Sequence, residues 1–349
     1  MTTEALPRAG MPRAPVSADI PEWFGIAPSI VWIMWHREML RYMRDRSQLW
    51  GGLSRTVLWL VVLGFGLGAA LREIEGYTYG QYILPGVITL NVLFASLQCA
   101  IALVWDREVG LLREVMVSPA PVLSVTLGKL LGGASIAVIQ GTIPMLFMPV
   151  VFVPKIERMV SGMNPGDAVM LMLSVIPEWI LPFLGAWVIM FFMGVLMTAL
   201  GVFIAARLKT YEGFGAISNG IIQPLYFLSG SIFPLRGVIG GVGMLEIPEA
   251  LRAQLRQIGI FAIGGGWIVQ LPLWLQILVY ANPVSYQLDL LRKVLLNFEQ
   301  LPLTVDLLVT FGLPPIAVVF ASIAMGRMLK GADIGGPRKK RPGGGPGRR

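Results

Sequence analysis

Few side chains in this chain have the type and spacing that catalysis needs. Its 349 residues include one cysteine, Cys99, and one histidine, His36. A lone thiol closes no intrachain disulfide, and a single imidazole removes most histidine-based metal sites and acid–base relays. HExxH and GxSxG are absent, as is the GxxxxGK[ST] loop whose backbone amides cradle phosphates; Gly128 and Lys129 are followed by Leu130. The acids nearest the apolar runs, Asp106, Glu108, Glu178, Glu212 and Asp289, fall at run ends or in loops, so no facing carboxylate pair is predicted. The reading is therefore no catalytic residue, no metal and no cofactor. What stands out instead is a set of amides inside long apolar runs. Asn91 and Gln98 lie seven apart, on one helical face, with Gln140 and Gln223 in later runs. Such groups either hydrogen-bond between helices, for about 1 kcal/mol each, or line a substrate path. Arg55, near the start of the first run, is predicted to snorkel toward the nearer surface.

The elements that carry these residues follow from composition. The chain is 55% hydrophobic and 14% charged, where a soluble domain carries roughly 25% charged residues. Mean hydropathy is +0.70. A soluble enzyme, a disordered chain and a fibrous repeat are all excluded. A membrane-crossing helix needs about 20 apolar residues. The apolar runs predict an all-α integral membrane protein with six crossings, at about 49–71, 82–105, 126–153, 181–206, 214–235 and 305–328. Pro177, Glu178 and Pro182 interrupt the fourth block, so Ala168–Trp179 reads as an interfacial piece. Ile258–Tyr280 is apolar enough to cross, but Gly264–Gly266 and Pro272 make it a poor continuous helix. It is predicted to dip in and return.

Charge sets the orientation. With the N-terminus inside, Arg37, Arg41, Arg44, Arg46, Arg107, Arg113, Arg207, Lys209 and the tail PRKKRPGGGPGRR all fall on the cytoplasmic side, as the positive-inside rule requires. A seventh crossing would send that tail outward. Both termini are therefore expected in the cytoplasm. Residues 1–27 are proline-rich and lack the apolar region of a secretory signal. Residues 28–330 form the membrane domain and 331–349 a basic tail. The tail fits anionic lipid better than nucleic acid, and removing 337–349 is expected to leave the activity of the membrane domain largely intact.

Two amphipathic segments flank the early crossings. In Ser29–Arg46, Trp32, Trp35, Met39 and Tyr42 recur at helical spacing opposite Arg37, Arg41, Arg44 and Asp45. That pattern suits a helix lying among lipid headgroups. In Trp105–Pro121, Trp105, Val109, Leu112 and Met116 share a face against Asp106, Glu108, Arg113 and Glu114, and Pro119 and Pro121 stop the helix. Such a segment either docks on a soluble partner or merely connects two crossings. Gly128, Gly132, Gly133 and Ala134 form a small-residue face for close helix contact. Met190, Met193 and Met197 form a stripe read as packing.

The run YILPGVITLNVLFASLQCAIALVWDREVGLLREVMVSPAP (Tyr82–Pro121) resembles the type-2 ABC exporter permeases, which include the membrane subunits of daunorubicin-type drug exporters and nodulation-factor exporters. The likeness continues through LGKLLGGASIAVIQG (Leu127–Gly141), ALGVFIAARLKTYEGFGAISNGIIQPLYFLSGSIFPL (Ala199–Leu235) and LPLWLQILVYANPVSYQLDLLR (Leu271–Arg292). It implies a six-helix permease in the bacterial inner membrane, paired with a second permease copy and driven by separate ATP-binding cassette ATPase subunits. It further implies an N-terminal interfacial helix, outer-side re-entrant helices before the last crossing, and a cytoplasmic coupling helix. Carried onto this chain, the coupling residues are Trp105, Asp106, Arg107, Glu108, Gly110, Arg113 and Glu114. Asn91, Gln98, Gln140 and Gln223 are the candidate path residues. Two departures stand out. Arg236–Gln270 is an extra glycine-rich stretch, and Pro154–Trp179 is longer than usual in the family. The competing readings are a membrane scaffold that recruits a soluble complex and an ion-coupled carrier. The carrier is disfavoured because no acid falls clearly at mid-membrane.

Overall fold

In the computed structural model, the regular elements among the described residues are all helices. The structure describes residues 25–68, 77–110, 120–148, 151, 164–208, 210–232, 273–298 and 300–333; for 67, 165–179, 273, 275, 276 and 330–333 only the backbone is described. The expectations for Arg113, Glu114, Arg236–Gln270 and both terminal segments lie outside these residues.

The chain enters α1 (Pro28–Arg44) with proline at its first position, where the missing N–H is no loss. Asp45 makes the corner into α2 (Arg46–Trp59). Its N–H turns back to the carbonyls of Arg41 and Tyr42, and its carboxylate accepts from the Ser47 N–H at 3.1 Å. Wider, π-type turns extend α2 over Leu60–Leu67. Then come α3 (Tyr79–Glu108), α4 (Val122–Met145), α5 (Pro165–Ala205), α6 (Tyr211–Leu228), α7 (Leu273–Ala281), α8 (Pro283–Leu296) and α9 (Leu303–Asp333). Thr78 and Gln81 close a capping box on α3.

Five of the described helical stretches are long and apolar enough to cross a bilayer: Arg46–Gly66, Tyr79–Glu108, Val122–Met145, Ile180–Ala205 and Leu303–Leu329. Helix α6, over the predicted fifth crossing, has 18 residues and carries Glu212, Asn219 and Gln223. It is not among the five. One expectation is corrected outright. The fourth block does not break at Pro177 and Pro182 but runs as one 41-residue helix from Pro165. A proline removes one backbone hydrogen bond and kinks a helix. Ending the helix would orphan several more polar groups in an apolar stretch, which costs more.

Helix α3 is the centre of the bundle, with 72% of its apolar window buried against 17% for α2. Small residues set the distances. Gly194 of α5 packs on Ala134 of α4, and Gly201 of α5 on Ala100 of α3. Met190, Met193 and Met197 are all buried in this core. At the Tyr79 end, the Tyr82 hydroxyl donates to the Gly230 carbonyl at 2.9 Å and Arg292 to the same carbonyl at 2.7 Å. Helices α7 and α8 meet at Asn282, whose amide donates to Leu225 of α6 at 2.7 Å. The link from α8 to α9 is held by the Asp289 carboxylate, which accepts from the backbone N–H groups of Gln300 at 3.0 Å and Leu301 at 2.8 Å.

Candidate functional site

At the Glu108 end of the bundle, three helices bring five charged side chains together. Helix α1 runs alongside α4. The Ala27 N–H donates to Ser124 Oγ at 2.8 Å, the Trp35 indole to Ser135 Oγ at 3.0 Å, and Gln140 Nε2 to the Tyr42 hydroxyl at 2.9 Å. Close approach is possible because α4 has glycine where α1 crosses it. A Cβ on Gly132 would stand 2.8 Å from Glu38 Cβ, and one on Gly128 would lie 2.8 Å from the Val31 carbonyl. That contact pushes Glu38 into the interior, where it is 2% exposed.

Glu38 is neutralised there. Lys129 Nζ of α4, 3% exposed, lies 2.8 Å from Glu38 Oε1 and 3.6 Å from Asp106 Oδ2 of α3. Arg41 reaches Glu38 at 2.8 Å, and Arg37 reaches Asp106 at 3.0 Å. The Cys99 thiol, also buried, sits 3.9 Å from Glu38 Oε2. Burial alone would push the Glu38 carboxyl up, but Lys129 and then Arg41 outweigh it and hold the group below its ordinary range. Two acids thus face one lysine and two half-exposed arginines. The arrangement ties three helices together and has no chemistry to perform.

The last turn of α3 has a second set of ties. Arg107 donates to the Leu208 carbonyl at 3.1 Å, Glu108 accepts from the Tyr211 N–H at 2.8 Å, and the Trp105 and Tyr211 rings meet edge to face. Leu208 lies in the turn joining α5 and α6, and Tyr211 is the first residue of α6. Gly110 follows at φ 85°, a conformation that favours glycine, and among the described residues nothing lies within 4 Å of where its Cβ would stand.

The predicted residues therefore divide. Asp106, Arg107, Glu108 and Trp105 sit together, but on the end of α3 rather than in a separate helix starting at Trp105, because the helical bonds run unbroken to Glu108. Of the predicted path residues, Asn91 and Gln140 are buried and both hold α2. Asn91 Nδ2 donates to Thr56 Oγ1 at 3.0 Å, and Gln140 Nε2 to the Gln48 carbonyl at 3.0 Å. Gln98 and Gln223 are exposed and are not brought to them. Arg55 does not snorkel. Its guanidinium donates through Nε and Nη2 to Asn91 Oδ1 at 3.1 and 3.0 Å. The stripe predicted for α1 is also redistributed: Tyr42 is buried with Glu38, while Trp32 is 61% exposed.

Sequence reasoning missed Glu38 and Lys129 as a pair. The available signal was Lys129 itself, a cation inside an apolar run of small residues, which must find a counter-ion.

This geometry, a bundle of long apolar helices with a buried ion-pair cluster at the Glu108 end, can be set beside known proteins. Residues 30–241 match the model of the ABC-2 type transporter family. The chain belongs to that family. Among curated relatives, Nodulation protein J of Azorhizobium caulinodans is 26% identical over 257 residues, covering 72% of this chain and 88% of that protein. Nodulation protein J of Rhizobium leguminosarum bv. trifolii is 21% identical over 273 residues, 77% of this chain and 82% of the relative. The inner membrane transport permease YadH of Escherichia coli (strain K12) is 21% identical over 301 residues, 85% of this chain and 95% of the relative. As an ABC-2 family member the chain is a multi-pass membrane permease component of an ABC transporter. The ties at the end of α3 can thus be considered as parts of a transport machine.

Proposed function

We propose that this permease is the membrane subunit of an ATP-driven exporter of the inner membrane, worked by a separate ATPase and paired with a second copy of itself. It crosses the membrane six times, with α6 as the fifth crossing and α7–α8 as the re-entrant hairpin. Both termini and the Glu108 end face the cytoplasm. The organisation is that of the sequence reading, 28–330 as permease domain between a cytoplasmic N-terminal segment and a basic tail. The chain carries no phosphate-binding loop of its own. The inner membrane transport permease YadH supports the placement in the inner membrane.

The observation that carries this reading is the double tie at the end of α3. The segment that follows Gly110 is the point where an ATPase presses. A push there reaches Asp106 within about 6 Å along the helix axis. Through Lys129 and Glu38 it reaches α4 and α1, and through Arg107 and Glu108 it reaches the α5–α6 turn. The two halves of the bundle then rock together on nucleotide binding. Glu108, Gly110 and Glu114 make the contact, with the carboxylates meeting basic groups on the ATPase.

The test is reconstitution with a separate ATP-binding cassette ATPase. Substrate-stimulated ATP hydrolysis and vectorial transport are expected. The double variant Glu108→Lys, Glu114→Lys should insert normally yet lose stimulation. Unaided transport by the isolated subunit, or full stimulation in the double variant, would overturn the reading. Stable recruitment of a soluble complex without any transport would select the scaffold alternative.

A further inference from the structure

Arg55 is a cation inside an apolar span, held there by a neutral group. It is the tenth residue of the 21-residue span Arg46–Gly66, and its acceptor Asn91 is the thirteenth of the 30 residues of α3. Two of the five guanidinium N–H groups point at the single oxygen Asn91 Oδ1. The guanidinium carbon lies 4.3 Å from the centre of the Phe94 ring. Among the described residues, no carboxylate lies within ion-pair distance of it. Lys129 shows the contrast, with Glu38 at 2.8 Å and Asp106 at 3.6 Å. An amide dipole and a ring face orient a guanidinium but leave its net charge in place.

The site also opens outward. Arg55 is half-buried, and Gln98, two turns along α3 from Asn91, is exposed. Beyond Arg55 on α2, Leu58, Val61 and Val62 are 60%, 52% and 56% exposed. A fixed positive charge in an apolar span, with free donors and an apolar rail about 10 Å long leading away from it, matches a molecule with an anionic head and an apolar tail.

We propose that Arg55, positioned by Asn91 and Phe94, binds the anionic head group (phosphate, sulfate or carboxylate) of an amphipathic molecule that enters from the bilayer between α2 and α3. Its tail lies along Leu58, Val61 and Val62. That this molecule is cargo rests on the exporter reading above; that the site binds an anionic amphiphile does not.

Binding is measured on the full chain in phosphatidylcholine nanodiscs, with empty discs subtracted. The probe is dodecyl phosphate, and dodecyl maltoside and inorganic phosphate serve as controls. Saturable binding of dodecyl phosphate at one site per chain is expected, with no saturable binding of either control. Arg55→Gln should weaken it at least tenfold, and Arg55→Lys, which keeps the charge, less than about threefold. A diazirine-tagged dodecyl phosphate should label wild-type protein within 51–62 or 91–98, a readout that needs no variant to fold. Discs containing phosphatidylglycerol distinguish the source. Competition identifies a resident lipid, and its absence a separate amphiphile, and either outcome upholds an anionic site. Non-saturable binding, equal binding by Arg55→Gln, saturable binding of the maltoside, or labelling elsewhere would overturn it. None of these measurements involves the ATPase, so failure here leaves the stimulation test standing.

Discussion

Lys129 Nζ of α4 lies 2.8 Å from Glu38 Oε1 of α1, and neither side chain is more than 3% exposed. The pair is the keystone of the junction, because Arg41 attaches to Glu38 and Asp106 to Lys129, and Arg37 joins through Asp106.

Removing one member should be costly. Lys129→Met leaves two buried carboxylates without their central cation, and a loss of about 3–5 kcal/mol is expected. Glu38→Leu combined with Lys129→Met should recover part of that loss, since the pair disappears together. Thermal unfolding of purified protein in detergent reads both. Single variants within about 0.5 kcal/mol of wild type would show that the pair is not the keystone.

The same pair predicts a pH response. The Glu38 carboxyl is held below its ordinary value of 4.5 in the folded protein. The unfolded chain therefore binds its proton first as pH falls. Its contribution to stability is fully present above 4.5 and declines as pH drops toward the folded value. Melting temperature against pH should show an acid limb that is weaker in Glu38→Gln, measured relative to each protein's own plateau. An identical limb in both would assign the acid sensitivity to other groups.

The seat of α1 on α4 is tested at Gly128. A Cβ there meets Met34 Cβ and the Val31 carbonyl, and backbone cannot yield as a side-chain tip can. Gly128→Ala should cost about 1–3 kcal/mol and raise hydrogen exchange across residues 28–44. Gly51, around which nothing lies within 4 Å, is the control and should accept alanine with little change. Equal effects at both positions would contradict the close approach.

At the other end of the bundle, Asp289→Ala removes the acceptor for two buried N–H groups, those of Gln300 and Leu301. A loss of about 2–3 kcal/mol is expected, with faster amide exchange at those two residues. Asp289→Asn retains one acceptor oxygen and should lose less. Unchanged exchange in the alanine variant would show that the link between α8 and α9 is held by other bonds.

Much of the fold was legible because a bilayer imposes a simple rule. Long apolar runs must be helices there, since backbone groups have no water to bond. The helices over 82–105, 126–153 and 305–328 were expected from hydropathy and appear as α3, α4 and α9. The family was legible too, in the runs around Trp105–Pro121 and Ala199–Leu235, and the match over 30–241 agrees. The break at Pro177 was misread because proline speaks only for its own turn, while the cost of ending a helix depends on the surrounding medium.

What the sequence by itself determined was the solvent, the element type and the absence of a phosphate loop, because each follows from residue identity within a short window. Which polar side chains meet was decided by the tertiary structure alone. Glu38 and Lys129 are 91 positions apart and Arg55 and Asn91 are 36 apart. The apolar run around Lys129 signals that it needs a counter-ion, but nothing local says which residue supplies it. Glycines on α4 had to admit α1 before Glu38 could be buried, and only then did Lys129 acquire the neighbour that makes its position tolerable.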